Sequence, residues 1–186
     1  MKIRKPMIAT LLCALFFPAA ISATTLARLS LDDLAAAADP VARVRCASTE
    51  ARWESGSIWT VTTFEVLETM KGNLPAEITI RLPGGRAGHL TVTVDGAPRF
   101  LPGEEAVVFL ERSRTGGFTV AGWAEGTFRI SRDPRTHIET VTQDSSAFAI
   151  FDAATRTFRA EGIHRMPVDE FRSRLSAAFT RSKEKR

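Results

Sequence analysis

Cysteine is nearly absent from this chain, and where the two copies fall excludes more than their scarcity does. Cys13 lies in the leading apolar segment, which leaves Cys46 alone in the remainder. Once that leader is removed, no intramolecular disulfide can form, although an exported protein is free to use them. The fold must therefore stand on its hydrophobic core. About 160 remaining residues suffice, because a domain of that size buries about two-thirds of its unfolded surface. Cys46 sits in an apolar strand pattern and reads as a small buried hydrophobe rather than a reactive thiol.

Histidine is scarce as well. His89, His137 and His164 are far apart, and none has a second histidine or a cysteine at a metal-ligand spacing. No serine stands in a G-x-S-x-G turn that would project a strained nucleophile. The glycine-rich stretch 83–88 follows a strand, as a phosphate loop does. It lacks the Lys-Ser/Thr pair and is followed by another strand, so it reads as a hairpin loop. The carboxylate pairs Glu104-Glu105 and Asp32-Asp33 are neighbours in sequence and do not converge across a cleft as glycoside chemistry requires. No catalytic residue, metal site or cofactor is expected.

A membrane-spanning run is also missing. The apolar stretch 7–17 is roughly a dozen residues, short of the ~20 that a spanning helix needs. Lys2, Arg4 and Lys5 precede it, and Pro18, Ala19, Ala20, Ser22 and Ala23 follow. A basic head, a short apolar stretch and a small-residue exit make a secretory signal, residues 1–23, cleaved after Ala23. Leu12 before Cys13 argues against a lipid anchor. The mature protein is expected in the periplasm or secreted, with no transmembrane segment. The leader's cations account for three of the formal +4, and residues 181–186 carry a further +3, so the body between them is about −2. A slightly acidic body gives no electrostatic footprint for nucleic acid.

The rest of the chain is strand-like. Ser30 followed by Asp33 forms an acidic capping box for a short helix that stops near Asp39-Pro40. Period-two alternation then begins at Val41 and recurs in 58–67, 77–82, 90–94, 105–111, 118–123 and 127–130. Gly and Pro turns separate these runs, and no helix intervenes. The centre AVVFL of 105–111 is continuous enough to be buried on both faces. Residues 135–142 alternate, and 147–151 with 157–159 suggest a hairpin. Pro167 introduces a helix whose stripe is Val168, Phe171, Leu175 and Ala178 or Phe179. Trp53, Trp59, Phe64, Phe109 and Trp123 are expected in the core. The fold class is thus mainly β: an antiparallel OB-like barrel over about 39–132, extended over 133–180 by the hairpin and helix. Residues 24–180 form one domain, and 181–186 read as a solvated basic tail.

Three phrases carry a resemblance: Ala38-Asp39-Pro40-Val41, then 64–72 (FEVLETMKG), then 102–110 (PGEEAVVFL). Their order resembles uncharacterised exported bacterial proteins and, more distantly, the netrin and tissue-metalloprotease-inhibitor module. The resemblance covers about half the chain. It implies the barrel and an accessory role beside an exported protease. The inhibitors' disulfides and N-terminal cysteine are missing, so their zinc-chelating mechanism does not carry over. Fold likeness alone does not set function. The favoured reading is an exported, non-catalytic protein-binding module, a partner or inhibitor of an exported hydrolase. Binding residues are expected in the loops 52–57, 83–89 and 96–99, with Arg86, His89 and Arg99 as the polar contacts. The alternatives are a small exported enzyme with a site of dispersed residues, and an envelope or carbohydrate-binding protein.

Overall fold

The computed structural model describes residues 29–113, 116–147, 150–152, 157–159 and 162–184. The expected signal 1–23, Cys13, residues 185–186 and the turn of the 147–159 hairpin lie outside the described residues.

Helix α1 (Leu31–Ala37) opens with the anticipated box. The Asp33 amide donates to Ser30 Oγ at 3.1 Å, and the Ser30 amide donates to Asp33 Oδ2 at 3.0 Å. Seven residues are too few to hold a helix alone, and Leu34 and Ala35 are fully buried against the sheet. Lys71 Nζ donates to the carbonyls of Ala35 and Ala38, at 2.8 and 2.5 Å. A cation there satisfies orphan acceptors and complements the helix dipole.

Twelve strands follow among the described residues. They are β1 (Val41–Glu54), β2 (Ser57–Lys71), β3 (Glu77–Pro83), β4 (Gly85–Ala87), β5 (Leu90–Val92), β6 (Glu105–Arg112), β7 (Phe118–Val120), β8 (Thr127–Arg132), β9 (Glu139–Gln143), β10 (Ile150–Asp152), β11 (Thr157–Arg159) and β12 (Met166–Pro167). Helix α2 (Val168–Glu184) completes the described chain. The order β1-β2-β3-β7-β6 returns to β1, where Val41–Arg45 pair with Glu105–Phe109. This ring is the OB-like barrel. It is antiparallel except at one parallel bridge, Ile80 to Phe118, which closes it. From β6 the sheet continues through β8 and β9 to β12.

Strand β6 explains the unbroken apolar run. Successive strand side chains face opposite sides. Ala106, Val108 and Leu110 enter the barrel core beside Val44, Phe64, Ile80 and Val120. Val107 and Phe109 face outward into a second core with Leu34, Phe128, Phe171 and Leu175. The rings of Phe109, Phe128 and Phe171 continue that second core, with centroids 5.4 and 5.0 Å apart. Fully burying each such side chain stabilises by about 1.5–3 kcal/mol. The docked stripe of α2 is Val168, Phe171, Leu175 and Ala178.

Several boundaries differ from expectation. Residues 52–57 are mostly strand; only Ser55 and Gly56 turn, with φ of 51° and 82°. The 83–89 loop holds strand β4 and a two-residue turn at Gly88-His89. Of 90–94 only Leu90–Val92 pair, and of 118–123 only Phe118–Val120. Strand β9 begins at Glu139 rather than 135, because Asp133 Oδ1 accepts the amides of Arg135 (2.7 Å) and Thr136 (3.0 Å) and fixes a turn there. The expected tail is helical through Glu184, and the Arg181 guanidinium grips the Asp32 carboxylate at 2.6 Å.

Candidate binding surface at the barrel mouth

Between β3 and β6 the chain makes a long excursion, residues 84–104, that lies along the distal half of β1. It is fastened at several points. The Gly84 amide donates to Ile58 O at 2.8 Å, and Thr60 Oγ1 donates to Gly84 O at 2.6 Å. Gly85, at φ 135°, lies so close to Ala51 that an added Cβ would stand 2.7 Å from that methyl group. Only glycine fits this conformation and approach. Farther along, Gly96 O accepts the Ala124 amide at 2.9 Å. The Gly103 amide donates to Cys46 O and the Cys46 amide to Glu104 O, both at 2.8 Å.

Two side chains complete the anchoring. Phe100 is 3 % exposed and meets Phe64 edge-on, with centroids 4.8 Å apart. Arg129, projecting from β8, binds Asp144 through Nε at 2.8 Å and Nη2 at 2.9 Å, and Glu104 through Nη1 at 2.6 Å. Its Nη2 also donates to Arg99 O, and its guanidinium lies 4.5 Å from the Phe100 ring centroid. Arg129 is half-buried. Burial opposes its charge, but the carboxylates of Asp144 and Glu104 outweigh that and raise its pKa. Beside it, burial pushes the Cys46 thiol above its usual range.

The three residues expected to make polar contacts all lie on this excursion. Arg86, on β4, is exposed and donates only to Gly88 O, at 3.4 Å. His89 is exposed in the Gly88-His89 turn. Arg99 is exposed and donates to Val92 O at 3.1 Å. No hydrogen bond or ion pair joins the three, and neither arginine has a carboxylate partner among the described residues.

Sequence reading missed the apolar part of the surface. Among the described residues, the exposed large hydrophobic side chains are Trp53 (57 %), Leu90 (55 %), Leu101 (64 %) and Ile138 (54 %). Two of these four stand on the excursion and a third at the tip of the neighbouring β1–β2 hairpin. Trp53 is therefore not a core residue, whereas Phe64 and Phe109 are. Trp59 is half-buried under Arg81, whose guanidinium lies 5.1 Å from the ring and pairs with Glu54 at 2.8 Å. Alternation from Ala42, Val44 and Cys46 puts Trp53 on the opposite parity, with Arg43 and Arg45; the register shift between Cys46 and Ser48 moves it to the face of its cross-strand partner Ile58. The signal against burial was its place one residue from the hairpin end, beyond the barrel's rim.

Other charged regions are internally paired. Arg43 binds Glu105 and Glu139, and Arg45 binds Glu105 and Glu65. Arg132 binds Glu139 at 2.8 Å, and Arg172 binds Glu68 at 2.8 Å. Hydrogen bonds from Arg43 and Arg132 hold the Glu139 carboxyl down at about 2. Two open grooves flank the β8–β9 turn: Arg132 lines both, with Arg165 in one and Arg43 and Arg172 in the other. Among the described residues, no group of three metal-ligating side chains converges, and no helix is long and apolar enough to cross a membrane. No protein-family model, curated protein or solved structure matches the chain.

Proposed function

We propose that this chain is an exported, non-catalytic protein-binding module that engages its partner at the mouth formed by the excursion and the β1–β2 tip. One observation carries the reading: a segment pinned at both ends and in the middle displays large apolar side chains to solvent. Isolated surface leucines are ordinary, but the excursion and the adjoining hairpin tip expose Trp53, Leu90 and Leu101 as well as the polar Arg86, His89 and Arg99. Anchoring lowers the ordering cost of binding, since little freedom remains to be lost. The basic head, short apolar stretch and small-residue exit of residues 1–23 support a location in the periplasm or outside the cell. An exported hydrolase, a protease above all, is the partner class that the distant resemblance to the netrin module supports.

The test uses the chain from Thr24 as bait in envelope extract and culture fluid, with cross-linking and mass spectrometry. A stoichiometric partner whose cross-links map to 52–57 and 84–103, and whose capture is lost in Trp53→Ala or Leu101→Ala, supports the reading. Bait shown to be folded that recovers no protein partner refutes it.

A further inference from the structure

One of the two grooves beside the β8–β9 turn is built unlike the mouth. Its volume is about 590 Å³, within the range of about 300–1,000 Å³ common to small-ligand sites, but its lining is rich in hydroxyls rather than apolar. Ser131 and Thr140, paired across β8 and β9, line it with Thr136, Thr142, Arg132 and Arg165. Ile138 is the one large apolar side chain in the lining, and it is exposed.

Three of these groups are spare. The hydroxyls of Ser131 and Thr140 and the guanidinium of Arg165 make no hydrogen bond or ion pair among the described residues. Arg165 is nonetheless fixed at its backbone, where its amide donates to Thr142 Oγ1 at 3.1 Å. Asp133 is the one carboxylate in the lining, and its Oδ1 is occupied by the amides of Arg135 and Thr136. The amides of Thr136 and Arg135 hold the Asp133 carboxyl below its usual range, and the nearby charge of Arg165 adds to this. Residues 131–138 and 162–167 together carry Arg132, Arg135 and Arg165 against Asp133 alone. On a slightly acidic body, that local excess of positive charge draws anions to this groove.

The lining also selects what the anion is attached to. An acyl chain or an apolar peptide would find only Ile138, with none of the aromatic side chains on which protein contacts usually centre. A sugar presents ring hydroxyls that can both donate to and accept from Ser131 and Thr140, and a ring carboxylate can take the Arg165 fork in a bidentate pair.

We propose that this groove is a second binding site, for a segment of acidic polysaccharide whose sugars carry carboxylates. Arg165 pairs with a carboxylate, Ser131 and Thr140 bond the ring hydroxyls, and Ile138 packs on a sugar face. The site goes beyond the protein-binding reading and does not depend on it, since it shares no residue with the excursion or the β1–β2 tip.

The probe is a short oligomer of galacturonic acid, titrated into the isotope-labelled chain from Thr24 and followed by amide shifts. Its methyl ester keeps the hydroxyls without the charge, and inorganic phosphate supplies charge without the sugar. The expected result is a saturable shift at Ser131, Thr140 and Arg165, at least about tenfold weaker with the ester and absent with phosphate at the same concentration. Arg165→Gln should cut affinity about tenfold and leave the urea midpoint unchanged, because that guanidinium holds nothing in the fold. Thr140→Val keeps the strand and should weaken binding about threefold through the lost hydroxyl. No saturable shift, equal response to the ester, the same shifts with phosphate alone, or full affinity in Arg165→Gln would each overturn the proposal. A protein partner captured by the bait should be retained in Arg165→Gln. Its loss would make the groove a protein contact and sink the polysaccharide site, while leaving the module reading standing.

Discussion

The helical layer over the outer face of β6 and the excursion over the barrel mouth both cover apolar surface, yet opposite chemistry holds them. On the helix side the contact is apolar area: Val168, Phe171 and Leu175 of α2 against Val107, Phe109 and Phe128, with the ion pairs Arg172–Glu68 and Arg181–Asp32 beside it. The excursion, by contrast, contributes one large apolar plug, Phe100. The rest of its attachment is directional: backbone bonds at Gly84, Gly96 and Gly103, and the single guanidinium of Arg129. Apolar area tolerates small displacements. Hydrogen bonds with fixed geometry do not, so the excursion is positioned more sharply than its modest buried area suggests.

Three substitutions test that contrast. Phe171→Ala should have the largest effect, a loss of about 3–5 kcal/mol in urea unfolding, from lost transfer energy and the cavity left beneath α2. Arg129→Met should cost about 2 kcal/mol, because it leaves the Asp144 and Glu104 carboxylates without their cation in a half-buried site. It should also speed amide exchange across 96–104 while α2 stays protected. If α2 opens equally, the two covers are one cooperative unit and the contrast fails. Glu139→Gln should be mildest, roughly 1 kcal/mol, since its pairs with Arg43 and Arg132 lie near the surface. The Glu139 carboxyl is depressed to about 2 from its ordinary 4.5. Its contribution is thus complete above about 4.5 and disappears as pH falls toward about 2. Urea midpoints measured down this range should fall less steeply in Glu139→Gln than in the parent.

What could be read in advance was local. The capping box at Ser30 and Asp33, the alternation of β2, β3 and β6, and the stripe of α2 each depend on residues a few positions apart. The buried run 106–110 predicted a strand with two covered faces, and the two cores supply both. Ring closure was not legible in detail, because it depends on one parallel bridge between Ile80 and Phe118. The Arg129 clamp joins residues 15, 25 and 30 positions away, and no spacing rule marks them. Residues 135–138 alternate as well as a strand does, but the side chain of Asp133 captures two amides and turns the chain. At the mouth, turn residues located the segment that carries Arg86, His89 and Arg99. Strand periodicity groups Trp53 with Arg43 and Arg45, because the register shift between Cys46 and Ser48 leaves no mark in the alternation.

The grip of Arg181 on Asp32 has a consequence for topology. It sets the described N-terminal and C-terminal helices side by side on the outer face of β6, away from the mouth. Terminal elements held this close are the circumstance in which a fold can be cut and rejoined elsewhere. A short linker from the end of α2 to the start of α1, with new ends opened at Ser55-Gly56, would preserve every strand pairing but the β1–β2 turn. A tether attached beside these helices would leave the excursion facing outward. The same geometry suits immobilising the molecule without hiding the surface it is proposed to use.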